Sequence, residues 1–220
     1  MPLLNAVIDL SHFNNVTSFQ DVKDAGIIGV IHKATQGLTG VDGTYGLRKP
    51  QALAVGLLWG AYHFGVNADG RKQADHFLDV VQPGASDLMV LDFEQSSVEG
   101  TMTLAQAEAF VQRIFQQTGR YPGLYSGQAF IKQQIGGTKN ATLANCFLWI
   151  ARYSDQPPQV PASTWKTFTL WQYTDGNLGP QPHLVNGVAT GCDRDKFNGD
   201  EAGLRRLWGV LPPTPPAPNS

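Results

Sequence analysis

The sequence predicts an α/β fold: one barrel of eight strands, the first five in β/α units and the last three with few helices between them. Three observations carry this. Short apolar runs recur, several of them apolar at consecutive positions, as strands buried on both faces require. Helical segments alternate with the early runs at the spacing of parallel β/α units. Beyond Tyr153 the helical period is lost, because prolines and glycines interrupt the connections.

The strands are read at residues 7–10, 28–31, 57–64, 88–94, 123–126, 147–151 and 168–173, with a weaker one at 191–197. After the first strand, Thr17 to Gln20 fit a capping box, and Gly26 stands where a helix stop is expected. Asp69 can start a helix over 71–81, with Ala74, Phe77, Leu78 and Val81 on one face. Thr103 and Gln106 form a second capping box. The helix it opens carries Ala107, Phe110, Val111 and Ile114 as an apolar stripe and stops at Gly119. A barrel lacking its last helices accounts for a length below the roughly 250 residues usual for that architecture. An open doubly wound sheet competes. Against it, Leu10, Ser11, His12 and Phe13 stand where a Gly-x-Gly-x-x-Gly phosphate turn would follow the first strand.

The chain has 220 residues, 16 Lys and Arg against 18 Asp and Glu, and 42% apolar residues. No basic surplus exists to release phosphate counterions, so a nucleic-acid partner is excluded on charge. No run approaches the roughly 20 apolar residues that cross a bilayer, so membrane insertion is not expected. The first residues lack the basic start of a signal peptide, and no export route is legible. Residues 1–209 read as one barrel domain and 210–220 as a proline-rich tail or linker. A monomer is expected. Cys146 and Cys192 sit in apolar surroundings and read as buried free thiols.

Asp9, Asp92, Glu94 and Asp193 lie at or near the ends of apolar strands, where ionised carboxylates are costly unless paired or functional. Asp92 and Glu94 are two apart, so on a strand they share a face, with Cα atoms about 6.6 Å apart. On the fourth strand of a barrel both aim into the mouth at its C-terminal end. Crowding there keeps at least one of them protonated near neutral pH, as a general acid must be. The alternative is a salt-bridged pair facing solvent. Aromatic residues gather at the same ends: Tyr62 with Phe64, Tyr125, Trp149 with Tyr153, and Trp171 with Tyr173. Their flat faces suit sugar rings, although such residues are also ordinary core. His12, His32 and His63 lie near the ends of the first three strands, but no His-x-His or His-Glu-x-x-His spacing supports a metal site, and no cofactor is expected.

Eight pieces taken in order resemble glycoside hydrolase family 25, the lysozymes of the Chalaropsis type. They are Val7-Ile8-Asp9-Leu10-Ser11, Lys33-Ala34-Thr35-Gln36-Gly37, Gly60-Ala61-Tyr62-His63-Phe64, Leu91-Asp92-Phe93-Glu94, Leu124-Tyr125-Ser126, Leu148-Trp149-Ile150-Ala151-Arg152-Tyr153, Leu170-Trp171-Gln172-Tyr173, and the run from Cys192 to Gly199. The resemblance implies a TIM-like flattened barrel that hydrolyses the β-1,4 bond between N-acetylmuramic acid and N-acetylglucosamine in the glycan strands of peptidoglycan. Such an enzyme acts at the cell wall, in an extracellular or periplasmic setting. Glu94 matches the proton donor, Asp92 the second catalytic acid, and Asp9 and Asp193 the acids that complete the pocket. Tyr62, Tyr125, Tyr153, Trp171 and Gln172 are expected to bind substrate. Gln36 stands where relatives often carry an acid. Asp195 competes with Asp193 for the last position, and the following Phe-Asn-Gly favours Asp193. Two acids on one strand face resemble a substrate-assisted arrangement, in which the sugar's own acetamido oxygen attacks, with net retention. A chitinase-like glycosidase, a metal-dependent hydrolase and a non-catalytic glycan-binding barrel are the rival readings.

Overall fold

Apolar strands with helices between them close here into a barrel. The computed structural model describes residues 3–210. Its elements run β1 (Leu3–Leu10), α1 (Phe19–Asp24), β2 (Gly29–Gln36), β3 (Gly40–Val41), α2 (Tyr45–Ala54), β4 (Leu58–Phe64), α3 (Gly70–Val81), β5 (Leu88–Asp92), α4 (Leu104–Thr118), β6 (Gly123–Gly127) and α5 (Gln128–Ile135). The last are β7 (Leu148–Ala151), β8 (Leu170–Thr174), β9 (Asp193–Asn198) and α6 (Glu201–Leu207). Around the barrel the order is β1-β9-β8-β7-β6-β5-β4-β2, closed by β1 on β2, and β3 is a two-residue strand added to the end of β2. Neighbours around the barrel pair parallel except β9, which runs antiparallel to both β1 and β8, and the added β3 runs antiparallel to β2.

The expected five β/α units and three later strands are present. Asp69 caps α3 through the amides of Arg71 and Lys72. Thr103 and Gln106 make the reciprocal capping box on α4, which ends at Gly119 in the left-handed conformation. One cap is displaced. Ser18, not Thr17, accepts the amide of Asp21, because the backbone amides of both residues are already tied to Gly187 O in the late loop. Three helices, α2, α5 and α6, had no residues marked in the sequence. α2 carries Pro50 in its interior, and α6 follows the last strand.

Two apolar layers hold the barrel. One lies on the outer face of the sheet, under the helices and the late loops, and includes Phe77, Phe93, Phe110, Trp171 and Tyr173. The other fills the interior with Val7, Ile31, Leu58, Leu88, Val90, Trp149 and Leu170. Leu204 of α6 and the following Trp208 join this inner layer beside the starting residues of β4 and β5. Trp208 donates from Nε1 to Trp59 O at 2.9 Å. α6 therefore plugs the floor, and the open mouth lies at the other end. Of the stretch read as a tail, Val210 still donates to Arg205 O, and the rest lies outside the described residues.

Cys146 and Cys192 are buried free thiols, each pushed up to about 12 by burial. Among the described residues no helix is long and apolar enough to cross a membrane.

Candidate active site

Seven parallel strands point their C-terminal ends at the mouth, and the acids arrive there by simple alternation. Asp9 is the penultimate residue of β1 and Asp92 the last of β5. Glu94 lies two residues beyond, kept in line by the Phe93 amide, which donates to Tyr125 O at 2.9 Å. Phe93 turns outward against Phe130, so Asp92 and Glu94 both turn inward. Asp193 reaches the mouth by a different route. It begins β9, and an antiparallel strand starts where its parallel neighbours end; Asp9 and Asp193 are register partners.

These four acids, with Tyr62, Tyr125, Trp149, Tyr153 and Gln172, line a hollow of about 220 Å³. Gln172 organises one wall. Its Nε2 donates to Asp9 Oδ2 at 2.8 Å, and its Oε1 accepts from Tyr125 Oη at 2.9 Å and Tyr153 Oη at 3.1 Å. One oxygen of Asp92, Oδ1, is buried with no hydrogen-bond partner among the described residues. A smaller hollow of about 200 Å³ shares Glu94, Tyr125 and Tyr153 with the first and adds Gly127, Ala151 and Arg152.

Burial pushes all four carboxyl groups above the ordinary carboxylate range. Asp9 is raised further by Asp193, Asp195 and Asp92, and Asp92 by Glu94. Asp193 rises to about 7, from burial and from Asp175. For Glu94 burial is the raising influence and the Lys33 ammonium opposes it. Lys33 itself is lowered by burial but held charged by Asp92, Asp42, Glu99 and Glu94. Its Nζ donates to Gln36 Oε1 at 2.6 Å and lies 4.9 Å from the Phe64 ring centre, and Phe64 is the register partner of Asp92. Gln36 hands the contact on, donating to Glu99 Oε2 at 2.7 Å. An amide suits that place because it accepts from a cation on one side and donates to an anion on the other.

Eight of the nine expected site residues meet in the hollow, and Trp171 does not. It faces the outer layer, 1% exposed, with Nε1 donating to Arg152 O at 2.8 Å. Adjacent strand residues point to opposite faces, so once Gln172 turns inward Trp171 cannot. Trp149 is the aromatic residue that the expected set lacked; it shares a face with Ala151 rather than Ile150, and alternation signals its inward side. Asp195 also points inward, one layer beneath Asp193, and accepts from Trp149 Nε1 at 2.7 Å. The three strand-end histidines do not converge. His63 bonds Thr35 and Gln73, His32 bonds Lys33 O, and His12 pairs with Asp42 at 2.9 Å.

Comparison with known proteins agrees with this geometry. The model of glycosyl hydrolases family 25 matches residues 8–180. Lysozyme M1 of Streptomyces globisporus is 30% identical over 214 residues, covering 91% of this chain and 70% of that protein. The N,O-diacetylmuramidase of Chalaropsis sp. is 27% identical over 199 residues, covering 81% and 92%. Among solved structures, the bacterial lysozyme from Streptomyces coelicolor superposes with a TM-score of 0.82 at 28% identity, covering 96% of this chain and 98% of that one. A family GH25 lysozyme from Aspergillus fumigatus gives 0.79 at 29% identity, covering 94% and 99%. A closed barrel with an acid-lined mouth and a family match over most of its length leave one conclusion: the chain belongs to glycosyl hydrolases family 25 and is a glycoside hydrolase.

Proposed function

We propose that this enzyme hydrolyses the β-1,4 bond between N-acetylmuramic acid and N-acetylglucosamine in peptidoglycan, with Glu94 as proton donor and Asp92 as the acid that orients the substrate's acetamido group. The observation that carries this is the pair itself: Asp92 and Glu94 turn together into a sugar-sized hollow closed by Asp9 and Asp193. Burial holds a proton on Glu94 beyond the usual carboxylate range, as a general acid needs. The unpartnered oxygen of Asp92 is placed to accept an acetamido N–H. Glu94 stands on the wall shared by the two hollows, where an acid must stand to reach the oxygen between two sugars.

In the first step the acetamido oxygen attacks the anomeric carbon. The glycosidic bond breaks, and Glu94 gives its proton to the departing oxygen. Water then attacks the oxazolinium intermediate, returning its proton to Glu94, and configuration is retained. A protein nucleophile would instead want two carboxyl groups about 5–5.5 Å apart on opposite sides of the bond. Tyr62, Tyr125 and Tyr153 flank the bound sugar, and Asp9 and Asp193 complete its floor. The substrate is a wall polymer, so the place of action is extracellular or periplasmic. Residues 1–209 suffice as a monomer.

Mass spectrometry of products released from purified walls tests the bond. Fragments ending in reducing muramic acid are expected; fragments ending in reducing glucosamine would overturn the assignment. Chitin oligomers assayed alongside separate a chitinase-like activity. Isolation of a covalent sugar adduct on Asp92 would overturn the substrate-assisted step alone.

A further inference from the structure

Lys33 and Gln36 are three residues apart on β2, a spacing that puts side chains on opposite faces of a regular strand. Here both face the mouth. The register shifts between Lys33 and Thr35, so that Lys33 pairs with Tyr62, Thr35 with His63 and Gln36 with Phe64 of β4. A bulge of this kind inserts one extra residue and re-aims the side chains that follow. Ala34 and Thr35 both take the outer face, Ala34 in the outer apolar layer and Thr35 bonded to His63. Lys33 and Gln36 are thereby brought to the inner side, beside Tyr62 of the hollow and Phe64, the register partner of Asp92. A chain of contacts results. Lys33 Nζ donates to Gln36 Oε1 at 2.6 Å, and Gln36 Nε2 donates to Glu99 Oε2 at 2.7 Å. Only one orientation of the amide serves both neighbours, because an ammonium cannot accept and a carboxylate cannot donate. Among the described residues the Lys33 ammonium is in ion-pair contact with no carboxylate. Its hydrogen-bond acceptor is neutral, so its charge is left intact.

We propose that Gln36 is a positioning residue: anchored by Glu99, its amide holds the Lys33 ammonium beside Asp92 and Glu94 without neutralising it. Glu99 stands on the segment that follows Glu94, so the tie joins the cation to the loop that carries the donor itself. The groups facing Lys33 are Asp92 and Glu94 at the end of β5, Glu99 beyond them, Asp42 after β3 and His63 on β4. His12, on the loop after β1, shares with Lys33 a hollow of about 150 Å³ and is bonded to Asp42. Glu94 is faced in addition by Tyr62 of β4, Tyr125 of β6, Tyr153 after β7 and Asp193 of β9. Burial raises Glu94 and Lys33 opposes the rise, so the place at which the ammonium is held bears on the donor's proton.

That Glu94 is the proton donor rests on the proposed function; the tie does not, because carbon-13 NMR of the Glu94 carboxyl group against pH reads it without any activity. Gln36→Leu frees Glu99 to take the ammonium and draws it toward the rim. The Glu94 midpoint should then rise by about half a pH unit, and the basic limb of wall hydrolysis should follow it. Lys33→Met should raise the midpoint at least as far. Adding Gln36→Leu to Lys33→Met should move it by less than about 0.2 unit more, because the amide acts only through the ammonium. A second variant keeps the contacts and moves the charge. Gln36→Glu combined with Glu99→Gln preserves both bonds and the total charge but puts the anion against Lys33. It should raise the Glu94 midpoint by about half a unit, with a melting temperature within about 3 °C of wild type. A midpoint that stays or falls in Gln36→Leu or in the exchanged pair, or a full further rise in the Lys33→Met background, would overturn the proposal. A loss in Gln36→Leu confined to KM would overturn it too, by making residue 36 a substrate contact. If the wild type fails to cleave walls, the proposed function falls, while the titration of Glu94 still decides the tie.

Discussion

From β1 through β6 every barrel strand is followed by a helix, apart from the small β3 hairpin, whereas β7 and β8 are followed by loops. The two arcs bring side chains to the mouth in different ways. The helix-backed arc uses the carboxyl ends of parallel strands, which deliver Asp9, Asp92 and Glu94. The loop-backed arc delivers Gln172 from within a strand, Tyr153 from beyond one, and Asp193 from the start of an antiparallel one. Its outer face has no helix to bury it. Trp165, Phe168, Trp171 and Tyr173 cover that face instead, with Lys196 Nζ 4.8 Å from the Trp171 ring and 4.3 Å from Tyr173. Aromatic density on this arc thus has two causes, residues that line the hollow inside and residues that cover the sheet outside.

The largest expected effect lies in the helix-backed arc. Glu94→Gln keeps the side-chain shape and removes the proton, and should lower kcat/KM for wall hydrolysis by about 10²–10⁴. Wild-type rates in that variant, measured as new reducing ends, would break the assignment. Trp171→Ala sharpens the contrast from the other side. It should cost about 3–5 kcal/mol of stability by leaving a cavity in the outer layer. Activity per folded molecule should stay near wild type, and a kcat loss in a fully folded variant would place Trp171 at the ligand after all.

A charge test comes next. As the proposed proton donor Glu94 would act in its protonated form, and burial raises its pKa, so activity should persist above the ordinary carboxylate range and fall as pH rises further. Lys33 pulls the same group down; Lys33→Met should therefore move the basic limb of the pH–rate profile to higher pH. A limb that stays in place or moves lower would remove Lys33 from the account. The smallest effect is expected at Tyr153→Phe. It removes one of two hydroxyl donors to Gln172 and should cost about 1 kcal/mol, read as a few-fold change in kcat/KM.

Alternation and strand ends made most of the site legible. Asp92 and Glu94 could be placed on one inward face from their spacing, and the unbroken apolar lead-in 88–91 marked the strand that carries them. The capping box at Thr103 was equally legible, because its bonds span only three residues. Trp171 and Gln172 were not separable by type, since both belong in a sugar site and only the inward direction of one excludes the other. Lys33 lacked a signal of its own: its position against Phe64, and hence beside Asp92, depends on pairing between β2, β4 and β5.

The residues in sequence determined the β/α alternation, the loss of helices after Tyr153, and the acids that stand at strand ends, because each follows from local period and local backbone chemistry. Three things came only with the tertiary structure: the antiparallel run of β9 that brings Asp193 to the mouth, the plugging of the floor by Trp208, and the bond from Gln172 to Asp9. Those are contacts between residues more than a hundred positions apart. Strand direction and barrel closure decide them, and neither is encoded in any one segment.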